Sequence, residues 1–220
     1  MKVVIYGTGK MAELICYSFN NDSPYEVVAF CVDDAYISDM QTTLMDLPIV
    51  NFDQLLLQYP PEDYCMHIAI GRNSARASVF HKIREAGYTF ANYISSKASV
   101  WPDLNVGHNV FIDQGCGIHP FVSIGNNCIL IGARIGHHCT IKDHVLLSGN
   151  ILAGNVTVGS NSFLGINSSV KEDVCIGENN IVGAGVFITK DTEDNKLISN
   201  PSTPQRIADS KKFTLFQKTA

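Results

Sequence analysis

From Ile94 onward, branched aliphatic residues return at every sixth position: Ile94, Val100, Val106, Ile112, Ile118, Ile124 and Leu130. The spacing shortens by one after Leu130, continues through Ile135, Ile141 and Leu147, and shortens by one again. It then runs through Leu152, Val158, Leu164, Val170, Ile176, Val182 and Ile188. Four residues after most of these lies a second small or apolar position: Val110, Cys116, Val122, Cys128, Cys139, Val145, Ile151, Val156, Ser162, Ser168, Val174 and Val186. This period is neither helical nor a plain strand alternation. It predicts short strands with alternate side chains inward, each followed by a turn. Three such units close a triangular coil, and stacked coils share one aliphatic core. A β-sandwich would instead need irregular strands and hairpin turn signals.

The first ninety residues have a different rhythm. Val3-Val4-Ile5 reads as a buried strand, Gly7-Thr8-Gly9-Lys10-Met11-Ala12 as a glycine turn, and Ala12, Leu14, Ile15 and Phe19 as a helix. Strand, glycine turn and helix open a nucleotide-binding βαβ unit, whose backbone N–H groups can hold a phosphate. Glu26 to Val32 predicts a second strand ending in Asp33-Asp34, where a carboxylate can meet a ribose hydroxyl or a base N–H; a solvated loop start is the alternative. Residues 35–50 read as a loop with an edge strand at Leu47-Pro48-Ile49-Val50, and a helix capped by Asn51 follows. Tyr64 to Ile70 predicts a third parallel strand running into Gly71-Arg72-Asn73, and then a helix over Ser74 to Glu85 closed by Gly87. The expected organisation is a βαβαβ domain over 1–90, a repeat domain over 91–193 and a tail over 194–220, with no flexible linker between the first two. Half a dinucleotide-binding fold favours a mononucleotide-type ligand over NAD.

Composition narrows the choices. The net charge of −5 has no basic block, so a nucleic-acid footprint is absent. No apolar run approaches the roughly 20 residues of a membrane span. The N-terminus reads as a strand and not as a signal peptide. Seven cysteines form no CxxC pair and mostly sit at apolar positions, which fits core thiols in a reducing cytoplasm.

Three histidines, His137, His138 and His144, cluster between or beside the two shortenings. Histidine is the natural general base near neutral pH. His137 falls two positions after Ile135, at a coil corner, where an exposed turn histidine is the plain alternative. His108 and His119 read as surface residues. A metal site from His137 and His144 has no carboxylate pattern to support it.

Five stretches in order carry a resemblance. They are the glycine turn, Val32-Asp33-Asp34, Ala69-Ile70-Gly71-Arg72-Asn73 with Arg76, Ile135-Gly136-His137, and Leu152-Ala153-Gly154-Asn155-Val156 leading to Phe163-Leu164-Gly165-Ile166-Asn167-Ser168. Through them the chain resembles bacterial sugar acyltransferases of the sialic-acid O-acetyltransferase type. It is most similar to nucleotide-sugar N-acetyltransferases that modify 4-amino-4,6-dideoxy sugars, such as the bacillosamine and perosamine enzymes. The resemblance implies a Rossmann-like α/β half-domain followed by a left-handed parallel β-helix of hexapeptide repeats. It implies a homotrimer with acetyl-CoA between neighbouring solenoids. It assigns the nucleotide-sugar to Gly7, Thr8, Gly9, Lys10, Met11, Asp33, Asp34, Gly71, Arg72 and Asn73, and catalysis to His137 with His138. It assigns acetyl-CoA to His144, Gly154, Asn155, Gly165, Ile166, Gly183 and Ala184. The implied reaction is acetyl transfer to the amine of a dTDP- or UDP-linked sugar; a sugar O-acetyltransferase and a catalytically silent nucleotide-sugar-binding protein are the alternatives.

The chain departs from the family at His138, where an Asp or Glu normally follows the histidine. Either an acidic group from elsewhere takes that role, with Asp113 and Asp143 as candidates, or catalysis is arranged differently. A second family histidine aligns with Leu146 unless a gap brings in His144.

Overall fold

The computed structural model describes residues 1–36 and 42–204. The expected tail beyond residue 204, and part of the expected loop at 37–41, lie outside the described residues.

β1 (Lys2–Tyr6), α1 (Lys10–Asp22) and β2 (Glu26–Val32) form the predicted opening unit. β3 (Thr43–Leu44) and β4 (Leu47–Asn51) follow as a hairpin, turning through Met45 and Asp46 at positive φ. Asn51 caps α2 (Phe52–Gln58) by accepting from the Asp53 N–H at 2.8 Å. β5 (Tyr64–Ile68) ends two residues sooner than its apolar run suggests, and α3 (Asn73–Glu85) starts one residue earlier than expected. Gly87 closes α3 at φ +89, a conformation that disfavours a side chain. The sheet order is β3-β4-β2-β1-β5, parallel except at β3. Because β2 and β5 flank β1 on opposite sides, the crevice between the β1 and β5 ends is a topological switch point, where open α/β sheets bind ligands.

The repeats form three stacked parallel sheets, the faces of a left-handed triangular β-helix. The first face carries strands such as Ser123–Ile124, Thr140–Ile141 and Thr157–Val158; the second, Phe111–Ile112, Ile129–Ile131 and Leu146–Ser148; the third, Gly117–Ile118, Arg134–Ile135 and Ile151–Leu152. The six-residue aliphatics and the second inward positions make one buried column from Val110 to Ile188.

One inward expectation is wrong. Ile151 is exposed, and Asn150 and Ala133 take the inward places instead. Both shortenings fall at the corner between the second and third faces, where Gly132 and Gly149 turn the chain at φ near +60 in two residues. A shorter corner moves the next inward residue forward by one. The buried Asn150 Nδ2 donates to Leu164 O, Gly165 O and Ser168 Oγ on the following coil, while its Oδ1 has no partner.

The outward residues of the second face explain how the two halves meet. Tyr93, Phe111, Ile129 and Leu146 point away from the solenoid core and pack with Val3, Ile5, Ile15 and Phe19 of the α/β half. Burying an aromatic or Ile side chain here is worth about 1.5–3 kcal/mol. Asp22, at the end of α1, accepts from Tyr93 Oη, Ser95 Oγ and the Ser96 N–H across the same seam, and hydrogen bonding from Ser96 and Ser95 holds its carboxyl below the usual range.

Candidate functional site

Gly7, Thr8, Gly9, Lys10 and Met11 line a cavity of about 610 Å³ together with Asp33, Gly71 and Arg72, so the structure gathers most of the predicted substrate residues at the switch point. α1 and α3 both begin at its rim without a side-chain cap, leaving first-turn N–H groups and the positive end of each helix dipole for an anion. Gly7 sits at φ +123, and a Cβ there would meet Ala69 O at 3.0 Å. That position therefore requires glycine.

The two aspartates have different roles. Asp33 lines the cavity, accepts from Lys82 Nζ at 2.5 Å and is hydrogen-bonded by Tyr6. Burial works to raise its carboxyl, but these bonds outweigh it and hold it below its ordinary value. Asp34 is exposed and accepts from Asn51 Nδ2 at 2.7 Å, away from the cavity lining.

A second cavity of about 670 Å³ shares Gly71 and Arg72 with the first and adds Asn73, Asn161, Phe163, Asn179 and Ile181. It lies where the start of α3 meets the corner between the first and second faces. Asn73 belongs here, donating to Asn161 O at 3.0 Å and Ser162 O at 2.9 Å.

Behind both cavities Arg76 is fully buried. Nε donates to Asn127 O, Nη1 to Ile70 O and Gly71 O, and Nη2 to Asn73 Oδ1 and His144 O, at 2.8–3.1 Å. That uses all five guanidinium hydrogens with no carboxylate. Burial pushes the group down to about 10, still cationic at neutral pH. Arg76 thus ties the Gly71 loop to the solenoid. His144, placed with the cofactor by the sequence, lies in this seam instead. It is buried beside Phe80 and hydrogen-bonds to Asn127 Nδ2 through Nδ1 at 2.8 Å. Desolvation, then nearby cations, hold its imidazole below the ordinary value.

His137 and His138 occupy a different edge, the corner between the third and first faces, and both are exposed. Their Nδ1 atoms are 3.0 Å apart. The His137 ring rests on Gly154 of the next coil, where a Cβ would come within 2.6 Å of Cε1. His138 stands at φ +60 with its ring 4.6 Å from that of Phe121. Neither proposed carboxylate accompanies them. Asp113 accepts from the Gly115 and Gly132 N–H groups, and Asp143 from Asn126, each at another corner. His137 and His144 therefore cannot share a metal, and among the described residues no group of three or more His, Cys, Asp or Glu could hold one.

The third face carries a groove of about 500 Å³ lined by Trp101, His119, Arg134, Gly136 and Ile151. Gly154 and Asn155 lie at one edge of this face, and Gly165, Ile166, Gly183 and Ala184 at the other, so six of the residues expected at the cofactor flank it. Sequence reasoning missed Trp101 and Arg134, the Lys82 anchor of Asp33, and Asn161 and Asn179. Only Trp101, the sole tryptophan and 55% exposed, carried a usable signal.

Residues 2–83 match the family model of the PglD N-terminal domain, and residues 89–194 that of the GMPPB C-terminal domain. Perosamine N-acetyltransferase from Caulobacter crescentus, solved with CoA and GDP-perosamine, is 29% identical, with a TM-score of 0.81 over 91% of this chain and 94% of that one. The acetyltransferase domain of PglB from Neisseria gonorrhoeae shares the fold at 21% identity and a TM-score of 0.81, over 93% of this chain and 99% of that one. Among curated proteins, the bifunctional protein GlmU of Rhizobium rhizogenes is 31% identical over 118 residues, covering 48% of this chain and 26% of that protein. The chain spans less than half the length of the curated relatives it matches. No helix among the described residues is long and apolar enough to cross a membrane. Both halves are matched in order, and the whole fold is shared over nine-tenths of its length, so the chain is similar throughout to bacterial sugar acyltransferases.

Proposed function

We propose that the protein transfers an acetyl group from acetyl-CoA to the amine of a nucleotide-linked amino-deoxy sugar, of the 4-amino-4,6-dideoxyhexose type. The observation that carries this reading is the pair of uncapped helix N-termini facing one cavity, with Lys10 and Arg72 beside them and a second cavity opening at the same loop. A nucleoside diphosphate fits the first cavity. Its pyrophosphate lies on the helix ends, Asp33 faces the nucleoside, and the sugar passes Gly71 and Asn73 into the second. The Caulobacter relative's complex with GDP-perosamine and CoA supports the substrate class, and two of that enzyme's structures are of variants with one histidine replaced.

His137 acts as base in this proposal. The neutral amine attacks the thioester carbonyl carbon and its proton passes to His137 Nε2. The tetrahedral oxyanion collapses, the C–S bond breaks, and the thiolate leaves with the proton from His137. No covalent enzyme intermediate is needed. The sugar cavity and His137 lie on different edges of the prism, so one chain alone does not bring them together. A homotrimer answers this by setting one chain's cavities against a neighbour's His137 edge, with acetyl-CoA along the third-face groove. The domain division at residues 90 and 193 follows the same reading, one part for the nucleotide-sugar and one for the acyl donor.

Thiol release tests the proposal. The protein is incubated with acetyl-CoA and dTDP-, UDP- or GDP-linked 4-amino-4,6-dideoxy sugars, and His137→Ala is run in parallel. Turnover with at least one amino sugar, falling about 10²–10⁴-fold in the variant, is expected. Release with hydroxyl sugars only would make the protein an O-acetyltransferase, and undiminished turnover in His137→Ala would remove the base.

A further inference from the structure

His137 and His138 are sequence neighbours, yet their rings meet through nitrogen. The Nδ1 atoms are 3.0 Å apart and the planes lie at 86°, so one nitrogen carries the proton and the other accepts it. Three features of the local packing surround this contact. The φ of +60 at His138 swings its side chain back towards its predecessor, Phe121 supports the ring from the coil before, and Gly154 leaves the space in which the His137 ring lies. Among the described residues neither histidine makes an ion pair. The charged or titratable groups on adjoining segments are His119 and Arg134 towards the third face and, two coils on, Lys171, Glu172 in register with His137 across Gly154, and Asp173, the last accepting from Asn155 Nδ2 at 2.7 Å.

We infer that His138 is a positioning residue whose Nδ1 accepts the Nδ1–H of His137, fixing His137 in the tautomer that leaves Nε2 free as a base. The inference rests on His137 being that base. In the opposite arrangement His138 donates, His137 carries its proton on Nε2, and that nitrogen has no lone pair for the amine proton. The acceptor is uncharged, where the resemblance leads one to expect a carboxylate. When His137 takes the substrate proton at Nε2, the imidazolium keeps its Nδ1–H bond to a neutral partner. A carboxylate in place of His138 would stabilise that imidazolium more than a neutral imidazole does.

Histidine ¹⁵N spectra of the intact protein above pH 8 give a readout independent of turnover. His137 is expected in the Nδ1–H form, which free imidazole disfavours, and to relax towards the Nε2–H form in His138→Leu. His138→Asn, compatible with positive φ and able to accept through its amide oxygen, should restore the Nδ1–H form. In kinetics, His138→Asp is expected to move the acid limb of kcat/KM up by about one pH unit, whereas His138→Asn leaves that limb in place. An Nε2–H His137 in the unmodified protein, or one tautomer unchanged across all variants, overturns the inference. So does an acid limb that His138→Asp does not move. If no acetyl transfer is found with any sugar, the proposed function fails while the tautomer spectra still decide the role of His138.

Discussion

Arg76→Ala separates the seam from the solenoid core. The substitution removes five hydrogen bonds and leaves four carbonyl oxygens, of Ile70, Gly71, Asn127 and His144, facing a void. A buried acceptor without a partner costs about 1–3 kcal/mol. Against this stands the relief of desolvating a cation that has no counter-ion, an effect of several kcal/mol. The acceptor term wins because the Gly71 and His144 carbonyls belong to loops from different halves and lose a shared donor. A net loss of about 3–4 kcal/mol is expected, which corresponds to roughly 6–16 °C in the melting of the seam at about 2–4 °C per kcal/mol. Arg76→Lys offers three donors for five acceptors and should fall between. The assay is urea unfolding followed by calorimetry, together with KM for the nucleotide-sugar, since the freed Gly71 loop lines both cavities. A loss below about 1 kcal/mol in Arg76→Ala, with KM unchanged, would show that the hydrophobic contacts around Phe111 and Ile129 set the domain geometry alone and that the argument from the arginine is mistaken.

Gly154→Ala places a methyl group where the His137 ring lies, and should cut kcat about tenfold or more with the melting temperature changed by only a few degrees; X-ray density showing the ring unmoved would contradict the cradle. Lys10→Ala leaves the helix ends in place but removes a cation from the rim, so KM for the nucleotide-sugar should rise several-fold while KM for acetyl-CoA stays constant; an equal rise in both would place Lys10 elsewhere in the reaction. His67 is wholly buried, donates to Ala91 O through Nδ1, and has no partner for Nε2. Burial holds it neutral down to about 4, so the unfolded chain binds the extra proton first, and stability present above about 6.5 is lost as pH falls to about 4. Unfolding measured across that window should be flatter in His67→Gln, and an unchanged slope would refute the assignment.

Periodicity made the solenoid legible because an inward aliphatic must recur at every strand, whatever the corners do. It could not place Ile151. A corner shortened from four residues to two still shows only a one-residue slip in the sequence, and Asn150 can sit inward because Leu164 O, Gly165 O and Ser168 Oγ accept from its Nδ2. The cavity at the switch point was legible for a similar reason. Glycine at φ +123 and an uncapped helix start are local requirements written at Gly7 and Gly9. His144 was not. It differs from His137 only in which corner it occupies, and that depends on how α3 packs on the coil through Phe80 and Arg76, a contact between residues some seventy positions apart.

The corners also explain where a solenoid can keep chemistry. Inward positions are filled by the core, and outward strand positions are committed to neighbours, so turn residues remain. Most non-glycine corners at positive φ hold Asn, as at 109, 127, 155, 161, 167 and 179, because Asn tolerates that backbone and can hydrogen-bond locally. Asp173 keeps nearly the shape of asparagine, and three corners carry rings instead: Phe121, His138 and His144. A larger ring there costs more than Asn, so it must be held by something else. Phe121 and His138 hold each other beside His137, and His144 is held by Asn127 and α3. The ring-bearing corners therefore mark the histidine pair and the interdomain seam. This signal lies in the turn residues, not in the aliphatics that reveal the fold. Asparagine at either corner makes the argument testable: His144→Asn should preserve the turn and lower stability through lost packing on Phe80, while His138→Asn, at an exposed corner, should preserve the turn, change stability little and still accept from His137 Nδ1.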